Sequence, residues 1–146
     1  MHITEAIVLK KTDVGEADVL YTAYTREFGK MRMCAVGVKK EEAKLRGHCE
    51  PLHHVEIGFV LGKNGARLVH AALIRPWYAI QSDSARSSTA LRIAQRIDDV
   101  CFDGEKDSVL WDFFLANFHE LERGTSGRDF LQEFEQKFSV VLGTGV

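Results

Sequence analysis

The feature that most constrains this chain is a change of period. Up to Tyr78 the apolar residues recur mainly at every second position, and beyond Ser82 they recur at every third or fourth. A spacing of two lines one face of a strand, whereas a spacing of three and four lines one face of a helix. An α+β chain is expected, strands first and helices after, with the boundary at about residue 81.

The strand half is organised around residues 25–32, TREFGKMR. The runs on either side, 19–24 (VLYTAY) and 33–38 (MCAVGV), are short and rich in apolar, aromatic and β-branched residues. Gly29 is the residue best able to take a positive φ between them, so a β-hairpin is expected. Lys30 and Arg32, two apart on its exit strand, should share a face. Residues 3–11 form a further strand that ends basic, and residues 12–18 a polar, glycine-containing loop. From His54 the pattern alternates, with Val55, Ile57, Phe59 and Leu61 on one face. Gly62-Lys63-Asn64-Gly65 is a tight-turn sequence, and residues 67–74 return to Pro76. Five strands in about 75 residues match a small Greek-key barrel of the OB type. An SH3-like barrel would give a similar count, and periodicity does not separate the two.

In the second half, Ser82-Asp83-Ser84 offers helix-capping side chains ahead of a stripe of Ala90, Ile93, Ala94, Ile97, Val100 and Cys101. A second helix is expected from Asp107-Ser108, with Leu110, Phe114, Phe118 and Leu121 on one face and a break at Gly124–Gly127. A third runs from Arg128, with Phe130, Leu131, Phe134, Phe138, Val141 and Leu142 as its stripe, to a stop at Gly143. The expected organisation is an OB-fold over residues 1–80 carrying the nucleic-acid surface, and a three-helix domain over residues 81–146.

The formal net charge of −2 conceals an asymmetry. Residues 1–80 carry 12 Lys and Arg against 9 Asp and Glu, and residues 81–146 carry 7 against 12. Only the first half is attractive to a polyanion. The basic set is Lys10, Lys11, Lys30, Arg32, Lys39, Lys40, Lys44 and Arg46. Clustered cations displace counterions from phosphates, which is what nucleic-acid binding requires. The opposing reading of residues 39–46 is a solvated loop, because Glu41 and Glu42 sit inside it. Among the aromatic residues, Phe28 at the hairpin tip is the candidate for stacking on an unpaired base; most others read as core.

Three cysteines without a CxxC pair argue against a disulfide framework and a cysteine-rich zinc site. His48, His53 and His54 lie near Cys49, but adjacent histidines on a strand diverge, so no metal site is expected. No phosphate loop, nucleophile elbow, HExxH or evident carboxylate pair is present, and neither a catalytic residue nor a cofactor is expected. No apolar run reaches the roughly 18–20 residues of a membrane span, and the N-terminus lacks a signal-peptide pattern. Residence in the cytoplasm, away from any membrane, is the expectation.

Thr4-Glu5-Ala6-Ile7-Val8-Leu9-Lys10, Asp13-x-Gly15-Glu16-x-Asp18, Tyr24-Thr25-x-Glu27-x-Gly29-Lys30, Ala35-x-Gly37-Val38-Lys39-Lys40 and Glu50-Pro51 follow one another in order. Across residues 3–75 this series resembles the N-terminal part of the RecO DNA repair and recombination proteins. A weaker likeness continues to Phe134-Glu135-x-Lys137 and Leu142-Gly143. The resemblance implies an OB-fold followed by helices, and bacterial, nucleoid-associated action on DNA. It implies binding of single- and double-stranded DNA, annealing of complementary strands, and work with RecR and single-stranded-DNA-binding protein in loading recombinase. The matching positions that would face DNA are Lys30, Arg32, Lys39 and Lys40; Lys44, Arg46 and Phe28 join them as DNA-binding candidates from the basic and aromatic residues above. Val36 departs from the family at a position that is commonly basic there. The four-cysteine zinc element that many members carry after the Leu-Gly is not in this sequence, and members are usually much longer.

The reading that follows is a non-catalytic DNA-binding module. A second, from another class, is a protein-interaction module that has lost DNA binding; Val36, Glu41-Glu42 and the acidic helical half favour it. A metal-dependent nuclease is a distant third.

Overall fold

The computed structural model describes residues 1–37, 49–124 and 129–143. Among them β1 (His2–Val14), β2 (Asp18–Thr25), β3 (Gly29–Ala35), β4 (His54–Gly62) and β5 (Gly65–Arg75) close into a barrel in the order β1-β2-β3-β5-β4. β1 pairs with β2 and β4, both antiparallel, and the closing β3–β5 contact is parallel and short, Met33↔Ala66 and Cys34↔Arg67. This is the five-stranded OB architecture.

β1 explains how barrel and helices are joined. Ala6, Ile7, Val8 and Leu9 are all buried, which a strand with one wet face would not allow. Ala6 and Val8 point into the barrel with Tyr21, Met33, Ile57, Phe59 and Leu68. Ile7 and Leu9 point outward into a second core with Tyr24, Trp77 and the helices. The β1–β2 register shifts between Val8 and Lys10, so Leu9 is the inserted residue of a bulge. A bulge sets two consecutive residues on the same side. Leu9 accordingly enters the outer core while Lys10 reaches a helical carboxylate.

The expected loop at residues 12–18 is mostly strand. Thr12, Asp13 and Val14 pair with Leu20, Val19 and Asp18, leaving only the turn at residues 15–17. A polar sequence extends a ladder when a partner strand supplies the hydrogen bonds.

Among the described residues four helices follow where three were expected: α1 (Tyr78–Ser82), α2 (Ser84–Val100), α3 (Ser108–Arg123) and α4 (Phe130–Val141). The additional one, α1, rests on a contact remote in sequence. The Glu122 carboxylate of α3 accepts from the backbone N–H groups of Ala79 at 2.7 Å and Ile80 at 3.0 Å. Trp77, with φ 59°, turns the chain into α1 and is buried between His54, Phe118 and His119. The other helices carry the expected stripes, Ala90/Ile93/Ala94/Ile97, Leu110/Phe114/Phe118/Leu121 and Phe130/Phe134/Phe138. Asp83 and Asp107 cap α2 and α3 by accepting from Ala85 N and Leu110 N. Among the described residues no helix is long and apolar enough to cross a membrane.

An ion cluster also bridges the two parts. Lys30 Nζ lies 2.8 Å from Asp98 Oδ1 and donates to the Asp98 carbonyl at 2.7 Å, with both side chains 9% exposed. Lys10 Nζ reaches the other carboxylate oxygen at 3.1 Å. Burial alone would raise the Asp98 carboxyl, but the two lysines outweigh it and hold it below the usual carboxylate range. Beside this cluster Gly104 N–H donates to the Lys30 carbonyl, so the α2–α3 connection runs along the start of β3.

Two predictions follow from this seam. Gly29 has φ 68°, as the hairpin required, and a Cβ there would press into the Glu105 carbonyl. Gly29→Ala is expected to cost about 2–4 kcal/mol in urea unfolding, since strain and collision add. Asp98→Asn leaves Lys30 buried without its counter-charge and should cost about 3 kcal/mol at pH 7. A carboxyl depressed in the folded state stabilises above its unfolded value of about 4 and loses that contribution as pH falls through the depressed value. The gap between wild type and Asp98→Asn should therefore narrow below about pH 4, and a pH-independent gap would refute the charge origin.

Candidate nucleic-acid interface

On β3 the side chains alternate. Met31, Met33 and Ala35 pack with the barrel interior, so Lys30, Arg32 and Cys34 face out. Lys30 and Arg32 do share a face, but the face is divided. The part nearest the hairpin lies beneath the end of α2, where Lys30 is 8% exposed and committed to Asp98. An ammonium held by a carboxylate and a carbonyl in a buried seam is not presented to a phosphate, so the expected pair of open cations is reduced to Arg32. The Arg32 side chain is 58% exposed, with Asp103 Oδ2 3.7 Å from its Nε.

Several other cations of the first half are also paired. Lys11 meets Glu50 at 2.8 Å, Arg26 meets Glu5 at 2.9 Å and Lys10 meets Asp98. Glu5 further accepts from His54 Nε2 at 2.9 Å, while Arg75 donates to His54 Nδ1 at 3.2 Å. Arginine can only donate, so Nδ1 is the acceptor and Nε2 carries the proton. Burial pushes His54 down, so it stays neutral in this network.

The register adds two cations that the sequence reading passed over. Cys34 pairs with Arg67, so Arg67 stands outward on β5 beside Cys34, on the same face as Arg32. Lys63 sits in the turn joining β4 to β5, and both Lys63 and Arg67 are exposed. Among the described residues neither has a carboxylate partner. The Asn64-Gly65 turn was a usable signal for Lys63; nothing local signalled Arg67, whose position depends on a barrel closure between distant strands. Lys39, Lys40, Lys44 and Arg46 lie outside the described residues. Val36, at the other end of β3, is 55% exposed.

Phe28 is half-buried rather than free at the tip. Its ring meets Phe59 edge-on at 5.2 Å and His2 at 5.6 Å, and His2 stacks on Phe59 at 5.1 Å. These rings line a groove of about 470 Å³ that reaches Arg32 and Leu61, with Asp103 and Gly104 forming a wall. Among the described residues no three His, Cys, Asp or Glu side chains converge as a metal-binding set.

The family model described as "Recombination protein O N terminal" matches residues 1–77. The DNA repair protein RecO of Heliobacterium modesticaldum is 32% identical over 121 residues, covering 83% of this chain and 44% of that protein. The RecO of Listeria monocytogenes is 25% identical over 143 residues, or 98% of this chain and 56% of that protein. The RecO of a Roseiflexus species is 26% identical, over 98% of this chain and 50% of its own length. The chain thus spans about half the length of the curated relatives it matches. With the family model covering more than half of the residues, and covering the closed barrel up to Trp77, this chain belongs to the RecO family.

Proposed function

We propose that this chain is a non-catalytic DNA-binding module that serves repair and recombination by gripping phosphates from the outer face of β3 and β5. The observation that supports the reading is the pairing of Cys34 with Arg67, which sets Arg67 beside Cys34 on the outer face that Arg32 shares, with Lys63 in the adjoining turn. Phosphate contacts of this kind position a strand without reading its sequence, so both single- and double-stranded DNA are substrates and base preference is slight. Lys39, Lys40, Lys44 and Arg46 extend the same basic set along the chain. Annealing of complementary strands and recombinase loading with RecR and single-stranded-DNA-binding protein belong to the same proposal, because the matched relatives are named DNA repair proteins. Lys30 is assigned a different part: it holds α2 against the barrel.

A second reading, an interaction module without DNA binding, draws support from the Asp103 carboxylate beside Arg32 and from exposed Val36.

Fluorescence anisotropy with a labelled single-stranded oligonucleotide separates them. Wild type should bind at low salt, with affinity falling linearly in log–log form as salt rises. The triple variant Arg32→Ala/Lys63→Ala/Arg67→Ala should bind at least ten-fold more weakly and flatten that slope by about 0.7 for each lost contact. Its melting temperature should stay within a few degrees of wild type, because these side chains are exposed. Unchanged affinity in the triple variant rejects this face, and no binding by wild type at low salt favours the interaction module.

A further inference from the structure

We infer that the groove beside Arg32 seats a single unpaired nucleobase. The inference rests on the DNA-binding reading and names what that site takes in addition to phosphate. The groove opens between the β2–β3 turn, the end of β4 and the α2–α3 connection, so barrel and helical parts both shape it. Its volume of about 470 Å³ is within the range of small-ligand sites, about 300–1,000 Å³.

The lining fits a flat aromatic ring. Phe59 is buried beneath His2, and Phe28 stands edge-on to both. One face of the His2 imidazole is taken by Phe59, and His2 itself is exposed, which leaves its other face as a stacking platform. Leu61, 68% exposed at the end of β4, supplies an apolar flank. Bases stack on such surfaces whatever their identity, because every base has a π face.

Charge selects the base over a bare phosphate. The ammonium of Lys30 is consumed by Asp98, and the carboxylates of Asp103 and Glu27 border the groove. Glu27 is itself held by Lys106 at 3.1 Å. At the mouth stands the Arg32 guanidinium, 58% exposed, with the Asp103 carboxylate 3.7 Å from its Nε. A nucleotide matches that arrangement with its neutral ring inside and its phosphate at Arg32. Duplex DNA, whose bases are stacked on one another, cannot use the groove, so the site favours single strands.

The test compares a 15-nucleotide oligo(dT) with an oligomer of the same length in which most bases are replaced by abasic sites. Both are titrated by anisotropy against wild type, Phe28→Leu and His2→Ala. Phe28→Leu keeps apolar volume against Phe59 while removing the ring, and His2→Ala alters an exposed residue, so it decides the matter if Phe28→Leu is unstable. The expected result is about a ten-fold loss of oligo(dT) affinity in each variant, with affinity for the abasic oligomer unchanged. Wild type binding the abasic oligomer as tightly as oligo(dT), or His2→Ala binding oligo(dT) as wild type does, overturns the base site and leaves the phosphate interface standing. Wild type binding neither oligomer at low salt overturns both.

Discussion

Everything in this molecule depends on a stretch of β1, Ala6 to Leu9, that is dry on both faces. Ala6 and Val8 fill the barrel, and Ile7 and Leu9 fill the space between barrel and helices. Ile7, Val8 and Leu9 each contribute about 1.5–3 kcal/mol when removed from water, and the Ala6 methyl less. Neither core is complete without β1, so the barrel and helices share one strand. The bulge at Leu9 makes the sharing possible, because it lets Leu9 and Lys10 address the helices together. Tyr24, opposite Ile7 on β2, and Trp111 on α3 extend the same contact surface.

That junction consumes charge as well as apolar surface. Lys10 and Lys30 converge on Asp98, and Glu5 gathers Arg26 and His54. A buried pair is weakly stabilising in sum and strongly destabilising when one partner is removed, so it fixes how two surfaces meet more than how firmly. The consequence for function is a partition of cations. Those near the hairpin and along β1 serve the fold, while among the described residues Lys63 and Arg67 have no carboxylate partner and Arg32 is exposed with only the Asp103 carboxylate near it, at 3.7 Å. A positive half-chain is thus not a positive surface, and the face with available charge lies toward β5.

The aromatic residues divide in the same way. Tyr24, Trp77 and Phe118 are core by every measure. Phe28 and His2 stand at the rim, packed on Phe59 yet bordering an open groove. Packing of this kind holds a ring rigid before a ligand arrives, which lowers the entropic cost of binding.

The barrel, its five strands, the Gly29 hairpin and the three long helices were legible along the chain, because each rests on a local spacing or on a residue suited to its own φ. The RecO likeness was legible for the same reason, in runs of neighbouring residues. Other features were not. α1 exists because Glu122 caps it from another helix, and Lys30 is buried because Asp98 arrives from 68 positions away. Arg67 shares a face with Arg32 because β5 closes the barrel against β3. Sequence by itself determined which segments are strands and helices and which faces are apolar, since those follow from periods of two and three to four. Only the tertiary structure decided which cations are spent and which remain, since a charge is neutralised by whatever the fold brings near it in space.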